Sequence, residues 1–212
     1  MREASSLFSL SAARAMADSK RPDDRSQSDI RTACKTFRAQ IPFEEQQLAS
    51  QKIADKVISS DLFLRAIDIA VYIPMESEVD TWPIIKRAWQ MKKRIFAPIT
   101  RKTFTLSFRR LDNENELLTS KMGLREPING QPIQPDALDL VLTPLVAFDA
   151  QKNRIGMGGG YYDRTFAFLK QKPDAVKPVL AGLAFEGQRV EKIPSNPWDI
   201  RLLHVFTEST EA

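Results

Sequence analysis

Four of the eight glycines in this chain lie within five residues, from Gly156 to Gly160. Glycine loses more conformational freedom on folding than any other residue. A cluster this dense is therefore unfavourable unless the backbone needs positive φ angles or must approach another group closely. The segment is predicted to be a loop whose bare N–H groups, next to Arg154 and Arg164, bind an anion such as phosphate. A tight turn without a ligand is the alternative interpretation.

The rest of the chain alternates helical and strand-like segments, which predicts how the loop is supported. The predicted strands are apolar and rich in β-branched residues: Ala66–Ile73, Arg94–Ile99, Phe104–Phe108, Asp139–Thr143, Pro178–Phe185 and Leu203–Thr207. The predicted helices begin near Ser28, Pro42, Trp82 and Tyr161, and the last of them runs to about Lys170. This alternation predicts a three-layer α/β/α fold with a mostly parallel central sheet.

We expect one domain from residue 28 to residue 212, because a chain of 212 residues is long enough for a single core. Residues 1–27 show no hydrophobic period and are rich in Ser, Ala, Arg and Asp, so we expect a disordered extension. The segment between Asn113 and about Pro135 contains many Gly and Pro residues and is predicted to be a loop.

Single copies of two reactive residue types limit the possible chemistry. Cys34 is the only cysteine, so an internal disulfide is excluded, and we expect a cytoplasmic protein. His204 is the only histidine, which argues against a histidine-based triad and a multi-histidine zinc site. No apolar run approaches the roughly 20 residues that span a bilayer, so we expect no membrane segment.

The motif around the glycines is specific. It reads Asn-Arg-Ile-Gly-Met-Gly-Gly-Gly-Tyr-Tyr-Asp-Arg over residues 153–164. No Gly-Lys-Ser/Thr ends it, so it is not a P-loop, and Tyr161 replaces the third glycine or alanine of the dinucleotide fingerprint. It resembles the signature Asn-Arg-Leu-Gly-x-Gly-x-Gly-Tyr-Tyr-Asp of the 5-formyltetrahydrofolate cyclo-ligase (5,10-methenyltetrahydrofolate synthetase) family. The resemblance extends from about residue 28 to residue 208 and indicates a bacterial-type member.

The resemblance implies a set of site residues. The implied ATP site comprises Arg31, Arg154 and the loop residues Gly156, Met157, Gly158, Gly159, Gly160, Tyr161 and Tyr162. Lys35 lies one turn after Arg31 on the same helix face and is a further ATP candidate. The implied folate site comprises Ile73, Glu78 and Tyr161, and the implied Mg²⁺ ligands are Asp163 and Asp199.

The physical chemistry of these residues agrees with the implied roles. A pterin ring presents adjacent N–H donors, which a carboxylate such as that of Glu78 accepts in a bidentate pair. Mg²⁺ suits one or two carboxylates together with nucleotide phosphates and water. One departure stands out, because the first basic ATP contact of the family falls on Gln27 in this chain.

The implied reaction is the ATP-dependent closure of 5-formyltetrahydrofolate to 5,10-methenyltetrahydrofolate, with release of ADP and phosphate by a monomeric enzyme. The folate itself carries one or several glutamates. The alternatives are a folate-sequestering protein without turnover and another α/β enzyme that uses ATP or a sugar phosphate.

Nine Lys or Arg residues and no acid lie between Thr81 and Leu111. This stretch is either a solvated face or a surface that attracts ATP or the glutamate tail. Nucleic-acid binding ranks last, because no reader motif is present and the glycine loop would stay unexplained.

Overall fold

The computed structural model describes residues 26–171 and 177–209, so the predicted disordered extension lies outside the described residues up to residue 25. The first helix, α1, begins at Gln27, one residue before the predicted start of the domain. Ser26 caps it, because its hydroxyl accepts the Asp29 N–H while the Asp29 carboxylate accepts the Ser26 N–H, each at 3.2 Å. Such a capping box satisfies two N–H groups that the helix leaves free.

Six α-helices occur within the described ranges: α1 Gln27–Gln40, α2 Phe43–Ser59, α3 Asp61–Arg65, α4 Trp82–Gln90, α5 Tyr161–Thr165 and α6 Phe168–Gln171. No helix in this part of the chain is both long and apolar enough to cross a membrane.

The central sheet has seven strands: β1 Asp68–Val71, β2 Arg94–Thr100, β3 Leu106–Arg110, β6 Pro132–Ile133, β7 Leu140–Pro144, β10 Val179–Leu183 and β11 His204–Phe206. Their order across the sheet is β11-β10-β7-β1-β2-β3-β6. The strands from β11 to β2 pair in parallel, whereas β3 and β6 are antiparallel to their neighbours. The predicted α/β class with a mostly parallel sheet is therefore confirmed.

Side chains alternate across the sheet and supply two apolar cores. Ile69 and Val71 face α2 and α4 on one side. Ala70 points the other way, into the core that contains Phe166 from the turn between α5 and α6. This alternation is the period of two that a strand imposes on successive side chains, and it explains why Ile69, Ala70 and Val71 are all apolar.

Two short hairpins lie outside the main sheet. One pairs β4 Leu117–Thr119 with β5 Arg125–Pro127, and the other pairs β8 Ala147–Phe148 with β9 Arg154–Ile155. The segment between residues 113 and 135 was predicted to be a loop, and it instead contains β4, β5 and β6. These strands are two or three residues long, which is too short for their hydrophobic period to be recognised.

The helix after the glycine loop is broken, although one continuous helix to about Lys170 was expected. Phe166 ends α5 with φ −102° and ψ 14° and is fully buried. Its ring lies 6.0 Å from Phe108 and 6.1 Å from Phe168, measured between centroids. The turn between α5 and α6 places this phenylalanine under the sheet.

Candidate functional site

A cavity of about 820 Å³ opens where the parallel strands β1, β2 and β7 end. Its walls come from the start of α1, the glycine loop and the β4–β5 hairpin, together with the segment at residues 196–199. Ligands of open α/β sheets collect at the carboxyl ends of the strands, so this is the expected place for a site. The cavity brings together segments that lie up to about 170 residues apart in the sequence.

The glycine loop joins β9 to α5, and Arg31 lies against it. The Arg31 Nε donates a hydrogen bond to the Gly156 carbonyl at 2.9 Å. A Cβ added at Gly158 would lie 3.9 Å from the Arg31 Cζ. Ile30 and Cys34 of α1 cluster with Ile155 of β9, so the packing of α1 on the β8–β9 hairpin fixes this arginine beside the loop.

Two of the glycines have backbone angles that other residues rarely adopt. Gly158 has φ +103° and Gly160 has φ +63°. A Cβ at Gly160 would also lie 2.8 Å from the guanidinium of Arg164, which donates to the Gly159 carbonyl at 2.5 Å. The glycines therefore allow a backbone conformation that a side chain would strain or obstruct.

Asp163 and Asp199 both line the cavity, and each is held through one carboxylate oxygen. The Asp163 Oδ1 accepts hydrogen bonds from Arg154 at 2.8 Å and from the Ile200 N–H at 3.0 Å. The Asp199 Oδ2 accepts the Asn196 N–H at 2.7 Å, with Gln27 Nε2 at 3.4 Å. Because Ile200 follows Asp199 directly, the bond from Ile200 to Asp163 ties the two aspartates together.

The two carboxylates fit the donor set that a hard cation requires. The second oxygen of each, Asp163 Oδ2 and Asp199 Oδ1, has no hydrogen bond to any described residue. No cluster of three or more His, Cys, Asp or Glu side chains occurs among the described residues. Two carboxylates without further protein ligands suit Mg²⁺ that also binds phosphate and water, and they do not suit a structural zinc ion.

Arg154 occupies a different position from the other predicted ATP-binding residues. Its side chain is 4% exposed, and it pairs with Asp163 and donates a second hydrogen bond to the Ile200 carbonyl. The guanidinium thus orients the aspartate. Gln27 does the same for Asp199 and also donates to the Pro194 carbonyl at 2.7 Å. Gln27, the position where the resemblance led us to expect a basic ATP contact, thus contacts a carboxylate.

Glu78 is buried at the inner wall of the cavity, behind the end of β1. Its Oε2 accepts the Met75 N–H at 3.0 Å, and its Oε1 lies 3.9 Å from Arg38 Nη1. Burial raises the pKa of Glu78 above its usual value, whereas the Met75 N–H and the Arg38 charge lower it. Burial and the nearby Glu78 charge also raise the pKa of Tyr72 and Tyr162, so both hydroxyls are protonated at neutral pH.

Large apolar side chains lie exposed at the mouth of the cavity. Met122, Met157 and Trp198 are at least half exposed and line it. The Tyr161 hydroxyl lies 3.8 Å from the Met122 sulfur. Apolar side chains that line a concave site are typical of a pocket for a small organic ligand.

All of the predicted site residues except Lys35 line the cavity. Lys35 is exposed on α1 and stands outside the lining, and its contact with ATP stays a prediction. Ile73 and Glu78, which were predicted for the folate, lie together on the wall formed after β1.

Sequence reasoning missed two parts of the site. The first is the β4–β5 hairpin, which contributes Met122, Leu124, Arg125 and Glu126 to the lining. The Glu126 Oε1 accepts the Thr100 N–H at 2.9 Å and the Thr100 hydroxyl at 2.7 Å, which ties this hairpin to the end of β2. No sequence signal marks it.

The second missed part is Arg38, which is buried on α1 in one stripe with Ile30 and Cys34. The sequence does contain a signal for it. Arg38 follows Ile30 and Cys34 at four-residue steps on an otherwise apolar helix face, and a charge in such a position requires a partner.

Comparisons with known proteins agree with this geometry. The profile of the 5-formyltetrahydrofolate cyclo-ligase family matches residues 23–208. The 5-formyltetrahydrofolate cyclo-ligase of Haemophilus influenzae is 34% identical over 182 residues, covering 84% of this chain and 95% of the relative. That of Escherichia coli K12 is 35% identical over 170 residues, covering 78% and 91%.

A solved structure shows the same arrangement of elements. The NMR structure of Aquifex aeolicus 5,10-methenyltetrahydrofolate synthetase superposes with a TM-score of 0.75 at 28% identity, covering 87% of this chain and 91% of that chain. The match extends over nearly the whole described fold and includes the glycine loop. The chain belongs to the 5-formyltetrahydrofolate cyclo-ligase family.

Proposed function

We propose that this chain converts 5-formyltetrahydrofolate to 5,10-methenyltetrahydrofolate, using ATP and releasing ADP and phosphate. The observation that carries the proposal is the cavity, because one space contains a glycine-rich cradle with Arg31, two partly free carboxylates and the buried acid Glu78. The first groups suit a polyphosphate, and Glu78 suits a ring with adjacent N–H donors. A kinase for a simple alcohol would not need the buried acid.

The reaction needs ATP because an amide-like formyl oxygen is a poor leaving group. That oxygen attacks the γ-phosphorus of ATP, and the bond to the bridging oxygen breaks with its electrons leaving on ADP. N10 then attacks the activated carbon and loses its proton, and phosphate leaves with the electrons of the carbon–oxygen bond. No side chain becomes a nucleophile, which suits a chain with one cysteine and one histidine.

The residues of the cavity act by alignment and by neutralising charge, which dominate phosphoryl transfer. Arg31 and the N–H groups around Gly158 face the phosphates of ATP. Glu78 accepts the pterin donors and so orients the formyl oxygen. The raised pKa of Tyr162 leaves its hydroxyl protonated, so it adds no second negative charge near Glu78.

Asp163 and Asp199 would hold Mg²⁺ through the oxygens that have no described partner. Bound there, the ion would supply positive charge to the nucleotide phosphates. Further parts of the proposal are a monomeric protein, a cytoplasmic location, an additional affinity for polyglutamylated folates and no nucleic-acid partner. Cys34, the single and buried cysteine, supports the location, since a reducing compartment needs no disulfide.

The test is to mix the protein with Mg²⁺–ATP and 5-formyltetrahydrofolate and to follow the near-ultraviolet absorbance of the conjugated methenyl product. We expect product only when all three components are present. Tight folate binding without product would identify a sequestering protein. ATP consumption with a sugar phosphate but not with the folate would identify a different α/β enzyme.

A further inference from the structure

Arg38 is a buried arginine without a role in the proposed reaction. It lies on the face of α1 that points into the molecule, and its side chain is 7% exposed. Its Nη1 donates a long hydrogen bond of 3.4 Å to the Leu145 carbonyl and lies 3.9 Å from Glu78 Oε1. Its Nε is buried and has no hydrogen-bond partner among the described residues. The guanidinium lies beside the cavity wall and is not among the residues that line it.

The hydrogen bonds of Arg38 are too few and too long to explain its burial as a purely structural anchor. An arginine that only anchors backbone carbonyls would use several of its five donors, whereas Arg38 makes one long bond to a carbonyl and leaves Nε unsatisfied. A buried charge is costly unless an opposite charge is near. Glu78 is the only acid with which Arg38 forms an ion pair in the described ranges, and it is itself 6% exposed. The two residues therefore depend on each other.

We infer that Arg38 is a positioning residue that keeps Glu78 ionised and turned toward the folate, an inference that rests on the proposed function. It acts through Glu78 without touching the substrate. Only an ionised carboxylate accepts both pterin donors, because a protonated one presents a hydroxyl to one of them. Arg38 thus provides the positive charge that a carboxylate buried in an apolar wall otherwise lacks.

The charged and titratable groups around Glu78 determine in which direction its pKa moves when Arg38 is lost. Arg38 approaches from α1, Tyr72 from the end of β1 and Tyr162 from α5, while Asp80 acts on Tyr72. The two tyrosines are neutral near pH 7, so Arg38 is the cation of this set. The pKa of Glu78 is already raised by burial, and loss of the arginine charge raises it further. As the pH falls, Glu78 in such a variant is protonated at a higher pH than in the wild type. Folate binding is therefore lost earlier on acidification.

The experiment compares Arg38→Met with Lys52→Met, which removes the same charge from an exposed position on α2. Binding of 5-formyltetrahydrofolate to each full-length variant is measured without ATP between pH 5 and pH 9. We expect the acidic midpoint of binding to move up by about one pH unit in Arg38→Met. It should stay in place in Lys52→Met and return most of the way in Arg38→Lys. In steady-state assays, the KM for the folate should rise while the KM for ATP stays unchanged.

A second comparison separates this role from loss of packing. In the Glu78→Gln background no carboxylate titrates at this position, so Arg38→Met should produce no further movement of the midpoint. Thermal unfolding shows whether each variant is folded. A weaker affinity at every pH with the midpoint unchanged, or an equal shift in the Glu78→Gln background, would overturn the inference.

The same data distinguish this inference from the proposed function. A wild-type protein that binds the folate with the expected pH dependence but makes no product would overturn the function and support the role of Arg38. A wild-type protein that makes product, with an unmoved midpoint in Arg38→Met, would do the opposite.

Discussion

The carboxylates of the cavity are held by other side chains and by backbone N–H groups, and these contacts define what each one does. Arg154 orients Asp163, Gln27 orients Asp199, and Met75 and Arg38 hold Glu78. In each case one oxygen is bound by the protein while the other has a weaker contact or none. The cavity thus presents carboxylates that are fixed in place and still have one oxygen available for a ligand.

Asp163→Asn should remove most turnover, by roughly 10²-fold, because the amide keeps one oxygen acceptor for Arg154 but loses the charge that binds a cation. The buried Arg154 also loses its counter-charge, so we expect a loss of about 1–3 kcal/mol in unfolding free energy. The measurement is initial rate against Mg²⁺ concentration, with Asp136→Asn as the exposed control. Full activity with an unchanged Mg²⁺ dependence would remove the metal assignment.

Glu78→Ala should weaken folate binding roughly tenfold or more and change ATP binding little, because charge-assisted hydrogen bonds to the pterin are lost. Equilibrium binding of each ligand alone checks this. Glu78→Gln, which keeps the size of the side chain, shows whether the loss comes from charge or from shape. Equal losses for the two ligands would contradict the placement of Glu78.

At the scale of elements, the site depends on how α1 and the β8–β9 hairpin pack together. The glycine loop follows β9, and Arg31 reaches it because Ile30 and Cys34 cluster with Ile155. The loop was predicted from sequence because several glycines close together indicate a backbone with positive φ angles or a close approach to another group. The break between α5 and α6 was not predicted, because only the tertiary position of Phe166 explains it.

Gly158→Ala should raise the KM for ATP and reduce the unfolding free energy by about 1–3 kcal/mol, because φ +103° is strained for any residue with a Cβ. Gly156→Ala is the matched control for stability, since its φ is not positive and its Cβ would meet nothing within 4 Å. Denaturant unfolding and ATP titration measure the two effects. Equal stability losses in both variants would show that the conformation at position 158 is not special.

At the scale of the whole molecule, the parallel sheet brings the ends of β1, β2 and β7 to one edge, and this explains how distant segments form one cavity. The sheet class and the strands were predictable because buried parallel strands are long apolar runs. The β4–β5 hairpin and Arg38 were not predicted. Short strands carry little periodicity. The apolar face of α1 marks Arg38 as a buried charge, but its partner Glu78 is 40 residues away and the sequence does not identify it.

If one cavity binds a triphosphate next to a folate, ATP cleavage and ring closure must occur together, and the reaction stoichiometry shows whether they do. ADP and methenyl product are counted in the same vessel after wild-type protein is mixed with Mg²⁺–ATP and limiting 5-formyltetrahydrofolate. We expect one ADP for each methenyl group formed and no ADP without the folate. ADP formed independently of the folate, or methenyl product formed without ATP, would contradict this expectation.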